Sequence, residues 1–365
     1  MGKIIGIPIK IHFTFIIILI LFAWAFAVEY ISIFGIVLGF GGLPVSLVTQ
    51  LILGTIVSVL LFVCVLLHEL GHSYVTQKYG YKINGITLFI FGGVSETEEI
   101  PRNPKQELNI AIVGPAVSIL LGVVLYLVYF VINPFSSTIL AQMVSITFGT
   151  LAFYNLLLAG FNLIPAFPID GGRVLRALLA MRMDYGKATR TASNIGKGVA
   201  IFLAVFGIFY NLWLTFIAVF IYFGAGSEEK TLEMSLALEK IKVKDIMTPN
   251  VESVSPDMTL RQLSDYMFAH KHLGYPVMEN EKIIGTVSIL DIRGTGKDRQ
   301  DSVLIKDVMH KDFLSISPDE DASNAFKIMA RNHNDRLIVQ KDGKTVGIIS
   351  WSDLLHAIKM KENQT

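Results

Sequence analysis

The chain has 365 residues, of which 52% are hydrophobic and 17% charged, and its mean hydropathy is +0.56. Soluble domains average about 25% charged residues, so this composition excludes both a single soluble globule and a disordered chain. Residues 1–226 hold 12 Lys and Arg and 8 Asp and Glu, whereas residues 227–365 hold 19 and 22. The sequence therefore predicts a membrane region followed by a soluble one. The net charge of +1 gives no support for a nucleic-acid partner, and the single cysteine, Cys64, excludes an internal disulfide.

Four runs without Lys, Arg, Asp or Glu mark the membrane region. They are residues 11–28, 30–67, 108–169 and 198–227. A spanning helix needs roughly 20 mostly apolar residues, so the first run predicts one helix. The second run is interrupted by glycine and proline at 41–44, with a helix predicted from about Val48 to Val75. The third run predicts two helices separated near 133–137. The last run is long enough for two helices only if the first of them extends back over 188–197, or if two short spans flank Asn211. We predict an α-helical integral membrane protein with about six spans, and five as the alternative.

The basic residues of this region indicate its orientation. With six spans, segments 1–10, 76–106 and 173–197 lie on one side of the membrane, and all twelve Lys and Arg residues of 1–226 fall in them. The opposite loops, 29–47 and 132–141, contain none. Positive residues favour the cytoplasmic side. The expected protein is therefore a multi-pass cell-membrane protein whose N-terminus and soluble tail are cytoplasmic.

Ionisable side chains cluster at the end of the second predicted helix, in Leu67-His68-Glu69-Leu70-Gly71-His72. Histidines four residues apart share one helical face, and Glu69 lies beside them. This H-E-x-x-H pattern is typical of two imidazoles that bind zinc and a carboxylate that activates water. The alternative is a histidine pair hydrogen-bonded within a helix bundle, but two histidines and a glutamate after a long uncharged run are hard to bury without a partner.

A catalytic zinc site usually has a third protein ligand, and Asp170 is the best remaining carboxylate at membrane depth. It follows Pro165 and Pro168 and precedes a diglycine, which loosen the helix and allow close backbone approach. The alternative is that Asp170 is the N-cap of a helix that starts at Gly171.

Together these motifs resemble those of the site-2 protease family of intramembrane zinc metalloproteases, which pairs H-E-x-x-H with a later N-x-x-P-x-x-x-x-D-G. The resemblance covers about residues 1–226. It implies that His68, His72 and Asp170 are zinc ligands and that Glu69 is the general base. Asn162 matches the motif asparagine, for which we suggest a role in holding the substrate backbone or the oxyanion.

Residues 83–99 partly alternate apolar and polar side chains, which predicts a hairpin near the cytoplasmic membrane face that turns at Gly92-Gly93. An open strand edge there would hold an unwound substrate as an added strand, with Phe89 and Phe91 as residues to test. The alternative is a structural hairpin that plugs the cavity.

After a polar linker at 227–242, the tail repeats itself with an offset of 62 residues. The segment Lys244-Asp245-Ile246-Met247 returns at 306–309, Ser255-Pro256-Asp257 returns at 317–319, and the segment from Gly285 to Asp291 returns at 347–353. A shared offset at three places indicates an internal repeat. Each unit is predicted to contain an opening segment, a helix, two strands and a closing helix.

This repeat resembles a tandem pair of CBS domains, a soluble α/β Bateman module, with the first domain at 243–300 and the second at 301–365. The resemblance implies binding of an adenine nucleotide, ATP or AMP, as a regulatory ligand, and a homodimer formed through the CBS domains. By that resemblance, Ser288 and Ser350 would contact phosphate and Asp291 and Asp353 the ribose hydroxyls.

Three further residues enter the predicted nucleotide sites through the same resemblance. Thr248 matches a position that lines the base pocket, whereas the second unit has His310 at the equivalent place, so the two sites are expected to be unequal. Arg336 and His272 would neutralise phosphate. The alternative is that the serine and aspartate pairs only cap the closing helices.

The sequence thus predicts an intramembrane zinc endopeptidase that cleaves membrane-anchored proteins in or near the bilayer and is regulated by its CBS pair. A CBS-gated ion transporter or channel, with His68, His72 and Asp170 in the ion pathway, is the alternative. It does not explain the position of Glu69 in the histidine motif. A protease-like protein without activity would require a lost catalytic group, and none is lost.

Overall fold

The computed structural model describes residues 3–90, 92–97, 102–249, 251–270, 273–280, 282–332 and 334–362. Two compact units make up the chain, Met1–Glu229 and Lys230–Thr365. His272 and Phe91, two residues singled out above, lie outside the described residues.

The first unit combines apolar helices with short strands. Its strands are β1 (Lys3–Ile4), β2 (Ile7–Ile11), β3 (Ile31–Ile33), β4 (Ile36–Leu38), β5 (Ile83–Phe89) and β6 (Gly92–Thr97). Its helices are α1 (Phe13–Val28), α2 (Leu47–Lys78), α3 (Pro104–Ile132), α4 (Ile139–Asn162), α5 (Asp170–Ala180), α6 (Tyr185–Tyr210) and α7 (Leu212–Ala237), the last of which continues into the second unit.

Four helices of the described chain are long and apolar enough to cross a membrane. These segments are Leu47–Lys78, Pro104–Phe135, Ile139–Asn162 and Tyr185–Tyr210. The other two predicted spans correspond to α1, which is apolar but has 16 residues, and to the apolar first half of α7. The first unit thus has membrane-capable helices as predicted, and the count of six spans stays a prediction.

Helix boundaries follow local capping. The Ser46 side chain accepts a hydrogen bond from the Thr49 amide at the start of α2, and Asp184 caps α6 in the same way. Asn211 ends α6 with an extended backbone, and its side chain accepts a hydrogen bond from the Trp213 amide. Side-chain acceptors at these positions satisfy amides that the first turn leaves unpaired. The last uncharged run therefore forms two helices by extending α6 back to Tyr185.

A four-stranded sheet in the order β1-β2-β5-β6 packs beside α2. The predicted hairpin is present as β5 and β6, but its turn lies between Phe89 and Gly92, which are paired. The expected turn at Gly92-Gly93 is therefore wrong, since both glycines belong to β6. Strand β6 has one neighbour in the sheet, β5, and so forms its edge.

The second unit shows the predicted repeat. Its first half contains α8 (Val243–Ile246), α9 (Leu260–His270), β7 (Gly274–Glu279), β8 (Lys282–Ser288) and α10 (Ile289–Arg293). Its second half contains α11 (Ile305–Val308), β9 (Ser315–Ile316), α12 (Ala322–Asn332), β10 (Arg336–Lys341), β11 (Lys344–Ser350) and α13 (Trp351–Glu362). Equivalent contacts recur at the offset of 62: Val254 bridges Val277 in parallel, and Ile316 pairs with Val339 in the same way.

Candidate active site

Both histidines of the H-E-x-x-H motif lie on the inner face of α2. Their side chains are one helical turn apart, and both residues are buried, with 3% of His68 and 9% of His72 exposed. The two Nε2 atoms are 3.2 Å apart. The helix thus presents two ring nitrogens to one point.

Asp170 reaches the same point from α5. Its Oδ2 lies 3.2 Å from Nε2 of His68 and 3.1 Å from Nε2 of His72. Asp170 is the first residue of α5 and Ile169 is its N-cap, so the alternative of an aspartate N-cap is wrong.

Helix α3 orients the two imidazoles. His72 Nδ1 lies 2.7 Å from the carbonyl oxygen of Ile110, which only accepts, so this nitrogen carries the proton and donates it. His68 Nδ1 lies 2.9 Å from the hydroxyl oxygen of Ser118. With Nδ1 held in this way, Nε2 of His72 faces His68 and Asp170.

These atoms fit a metal ion. His68, His72 and Asp170 form a cluster of three metal-ligating residues whose ligand atoms lie within 4.8 Å of one another. Two ring nitrogens and a carboxylate oxygen that converge on one point could hold a metal ion, and this donor set is typical of catalytic zinc. Gly114 leaves the space for it, because a Cβ there would lie 2.1 Å from Nε2 of His72 and 2.6 Å from Nε2 of His68.

Glu69 lies beside this cluster in a cavity of about 430 Å³. The hydroxyl of Ser95 on β6 donates a hydrogen bond to Oε2 of Glu69 over 3.3 Å. Strand β6 passes close to Glu69 because Gly93 has no side chain: a Cβ there would lie 2.5 Å from Cγ of Glu69. Asn162, the last residue of α4, lines the same cavity.

Sequence reasoning missed three contributors to this site: the Ser118 hydroxyl, the Ile110 carbonyl and the Ser95 hydroxyl. Ile110, Gly114 and Ser118 are spaced by four residues, so they lie on one face of α3. That spacing was the available signal. Cys64 is buried one turn before His68 and takes no part in the metal cluster.

The predicted nucleotide residues separate into two places in the second unit. The Thr248 backbone pairs with Ile348 of β11, whose end carries Ser350 and, after it, Asp353. His310 pairs with Thr286 of β8. That strand ends at Ser288, and Asp291 follows it.

The first serine of the two pairs, Ser288, borders a cavity of about 370 Å³. Ser288, His310 and Arg336 line it. Asp291 Oδ2 accepts hydrogen bonds from the Ser288 amide over 2.7 Å and from its hydroxyl over 2.9 Å, and Oδ1 lies 2.9 Å from Nε2 of His310. The Arg336 guanidinium donates to the carbonyl of Gly274 over 2.8 Å.

Asp353 makes the equivalent contacts in the second half. Its Oδ2 accepts from the Ser350 amide over 2.8 Å and from the Ser350 hydroxyl over 2.6 Å. Both serine and aspartate pairs therefore cap the closing helices in this structure, as the alternative prediction states.

Family models match both parts of the chain. The model described as Peptidase family M50 matches residues 56–138 and 131–205, and the CBS domain model matches residues 243–296 and 305–360. Zinc metalloprotease MJ0392 of Methanocaldococcus jannaschii is 40% identical over 363 residues, which are 99% of this chain and 96% of that protein. The chain belongs to peptidase family M50, the site-2 proteases.

Other relatives align with this site-2 protease over most of its length. Rip3 of Mycobacterium tuberculosis is 29% identical over 98% of this chain and 92% of its own. A solved structure of a site-2 protease from Methanocaldococcus jannaschii is 41% identical, covers 63% of this chain and 94% of its own, and has a TM-score of 0.44. Family membership makes the chain a zinc metalloendopeptidase with a tandem CBS pair, which decides against the transporter or channel alternative.

Proposed function

We propose that this protein is an intramembrane endopeptidase whose zinc ligands are His68, His72 and Asp170. The observation that carries the proposal is the convergence of Asp170 Oδ2 on both Nε2 atoms, at 3.2 and 3.1 Å, beside Glu69 and at the end of a membrane-capable helix. Ionisable groups at membrane depth are costly and persist where they perform a function. The substrate is a membrane-anchored protein cut in or near the bilayer.

His68, His72 and Asp170 would hold the zinc ion, which would act as a Lewis acid on the scissile carbonyl and on the attacking water. Glu69 accepts a proton from the attacking water and delivers it to the nitrogen that leaves. The water oxygen bonds to the carbonyl carbon, the C–N bond breaks, and the products are a carboxylate and an amine, which takes up the second proton.

The hydrogen bond from Ser95 holds the Glu69 carboxylate against the β6 strand, and His68 Nδ1 and His72 Nδ1 are held by α3. Asn162, the first residue of the second family motif, also lines the cavity. We therefore propose that it binds the substrate backbone or the oxyanion.

The edge of β6 is our proposed docking place for the substrate. An added strand bonds to main-chain groups of an unpaired edge, which keeps an unwound peptide extended beside the reactive groups. Ser95 of β6 contacts Glu69 and Gly93 packs against it, so a strand added here would lie next to the general base. Phe89 lines the cavity at the turn end of β5.

Replacement of Glu69 by Gln tests the endopeptidase assignment. Gln keeps the shape of the side chain but cannot take a proton, so we expect zinc to be retained and cleavage to stop. A membrane protein that is cut by the wild type should then co-purify uncut with the Glu69→Gln protein. The matched control is Glu29→Gln, an exposed carboxylate outside the cavity, which should cleave normally. Normal processing by the Glu69→Gln protein contradicts the proposal.

For the CBS pair we propose a regulatory adenine nucleotide, ATP or AMP, and dimerisation of two chains through these domains. The supporting observation is the cavity of about 370 Å³ that Ser288, His310 and Arg336 line, since a hydroxyl and two basic side chains suit a phosphate. The two serine and aspartate pairs recur at equivalent strand ends, so a ligand has two related places to bind.

We also propose that the N-terminus and the CBS domains are cytoplasmic. The twelve basic residues of 1–226 support this orientation. Exposed Ser137 lies in the loop expected outside, and exposed Ser255 lies in the tail. In a Cys64→Ala background, a cysteine at Ser137 should react with a membrane-impermeant maleimide on intact cells, and one at Ser255 only after lysis. The reverse pattern contradicts the orientation.

A further inference from the structure

Arg173 lies in the catalytic cavity without an assigned role. It follows Asp170 by three residues on α5, so both occupy one face of that helix. Among the described residues that line the cavity, it alone is a lysine or arginine. Its side chain is half-buried.

The next arginine on the same helix shows what a structural arginine looks like here. Arg176 is 2% exposed, its Nε donates to Glu107 over 2.7 Å, and its Nη1 donates to Glu228 over 2.7 Å. Its guanidinium also lies 4.8 Å from the ring centre of Phe167. Arg176 therefore links α5 to α3 and α7, and its charge neutralises the Glu107 and Glu228 carboxylates there.

Arg173 has no such partners among the described residues. It forms neither a hydrogen bond nor an ion pair within the part of the chain that the structure describes, although the charges of Asp170, Glu107 and Glu228 act on it at longer range. A guanidinium carries five donors and is costly to remove from water unpaired. An unpaired guanidinium in a cavity beside a hydrolytic centre is a site for an anion that arrives with the substrate or forms during the reaction.

We propose that Arg173 is a further catalytic residue, which binds the negatively charged oxygen that develops on the scissile carbonyl and then the carboxylate of the new C-terminus. This inference rests on the proposed peptidase site. Attack of water forms the new C–O bond and shifts the carbonyl electron pair onto oxygen. When the C–N bond breaks, both oxygens belong to one carboxylate, and a guanidinium matches that group with two parallel N–H donors.

Kinetics of Arg173→Gln and Arg173→Lys test the first part. Removal of one oxyanion donor lowers kcat by about 100- to 1,000-fold, and we expect Arg173→Gln to show this loss with KM nearly unchanged. Arg173→Lys keeps the charge and should recover part of kcat. Exposed Arg182, which does not line the cavity, supplies the control variant Arg182→Gln with wild-type kcat. Wild-type kcat in Arg173→Gln, or a loss confined to KM, overturns the proposal.

Binding by zinc-loaded Glu69→Gln protein tests the second part without turnover. The probe is a fluorescent Leu/Ala peptide that ends either in a carboxylate or in a carboxamide. We expect the carboxylate form to bind more tightly, and this preference to shrink about tenfold or more when Arg173→Gln is added, with zinc content unchanged. An equal preference for the carboxylate form in both proteins overturns the role of Arg173 and leaves the peptidase assignment intact. The peptidase assignment itself is contradicted only if the Glu69→Gln protein cleaves its substrate.

Discussion

Each of the two histidines proposed as zinc ligands is oriented by one hydrogen bond with α3. Ser118 lies 2.9 Å from Nδ1 of His68, and the Ile110 carbonyl lies 2.7 Å from Nδ1 of His72. Partners of this kind fix the ring and its tautomer, so that the other nitrogen is free to bind a metal. The α3 face thus determines how well α2 binds a metal.

Replacement of Ser118 by Ala should weaken zinc binding. Loss of the contact frees the His68 ring, and such changes lower metal affinity by about 10- to 100-fold. The measurement is a zinc titration against a competing chelator. Ser58→Ala is the control, because the Ser58 hydroxyl on α2 donates to the Leu19 carbonyl of α1 over 3.1 Å and does not line the cavity. Equal affinities in the wild type and Ser118→Ala would show that the hydrogen bond does not orient the ring.

Helix α5 starts at Asp170 because the next two residues have no side chains. A Cβ on Gly171 would lie 2.1 Å from the Ile164 carbonyl oxygen, and one on Gly172 would lie 2.5 Å from the Phe167 amide nitrogen. The chain before α5 therefore folds back against the helix that it precedes. This close approach places the Asp170 carboxylate at the two histidines.

Gly172→Ala should move α5 and with it the third ligand. The added methyl meets backbone atoms that cannot shift independently, and overpacking of this kind costs about 1–3 kcal/mol. We expect a lower thermal unfolding midpoint in detergent and reduced zinc content. Gly160 in α4 is the matched control, because a Cβ there meets nothing within 4 Å. Gly160→Ala should be neutral or stabilising by about 0.5–1 kcal/mol, as for Gly to Ala in helices generally.

The sequence predicted the elements that local patterns specify. Uncharged runs, Gly-Pro breaks and the repeat at an offset of 62 located the long helices and both CBS halves. The position of the β5–β6 turn was missed because glycine is typical both of turns and of close backbone approach. At Gly93 the glycine allows close backbone approach, in this case to the Glu69 side chain. The four-residue spacing of Ile110, Gly114 and Ser118 places them on one face of α3. They were missed because that spacing does not show that this face packs on α2.

At the scale of the whole molecule, α7 belongs to both units, since the boundary after Glu229 falls within Leu212–Ala237. Glu228 binds Arg176 in the first unit, and Leu238, directly after the helix, lies in the core of the second. Regulation by a nucleotide requires two states with different nucleotide affinities.

Removal of the aspartate should lower nucleotide affinity by different amounts in the two CBS halves. Asp291 Oδ1 is already in contact with His310, so a ribose must displace the histidine. Asp353 accepts hydrogen bonds from Ser350, and the residue that corresponds to His310 in the other half is Thr248. We expect Asp353→Ala to lower ATP affinity more than Asp291→Ala, and both changes together to abolish binding in calorimetry. Asp319→Ala, an exposed carboxylate paired with Lys244, is the control. Unchanged ATP binding in the double variant removes the nucleotide proposal.

The glycine-rich edge of β6 has a consequence for selectivity. Hydrogen bonds to a strand edge read the peptide backbone, and Gly92 and Gly93 offer no side chains to distinguish one residue from another. A peptidase that docks its substrate on such an edge is expected to be broadly tolerant of sequence around the cut. Its choice of target is then made by access: a protein is cleaved when one of its membrane segments is able to unwind and enter, and it is spared while that segment stays helical.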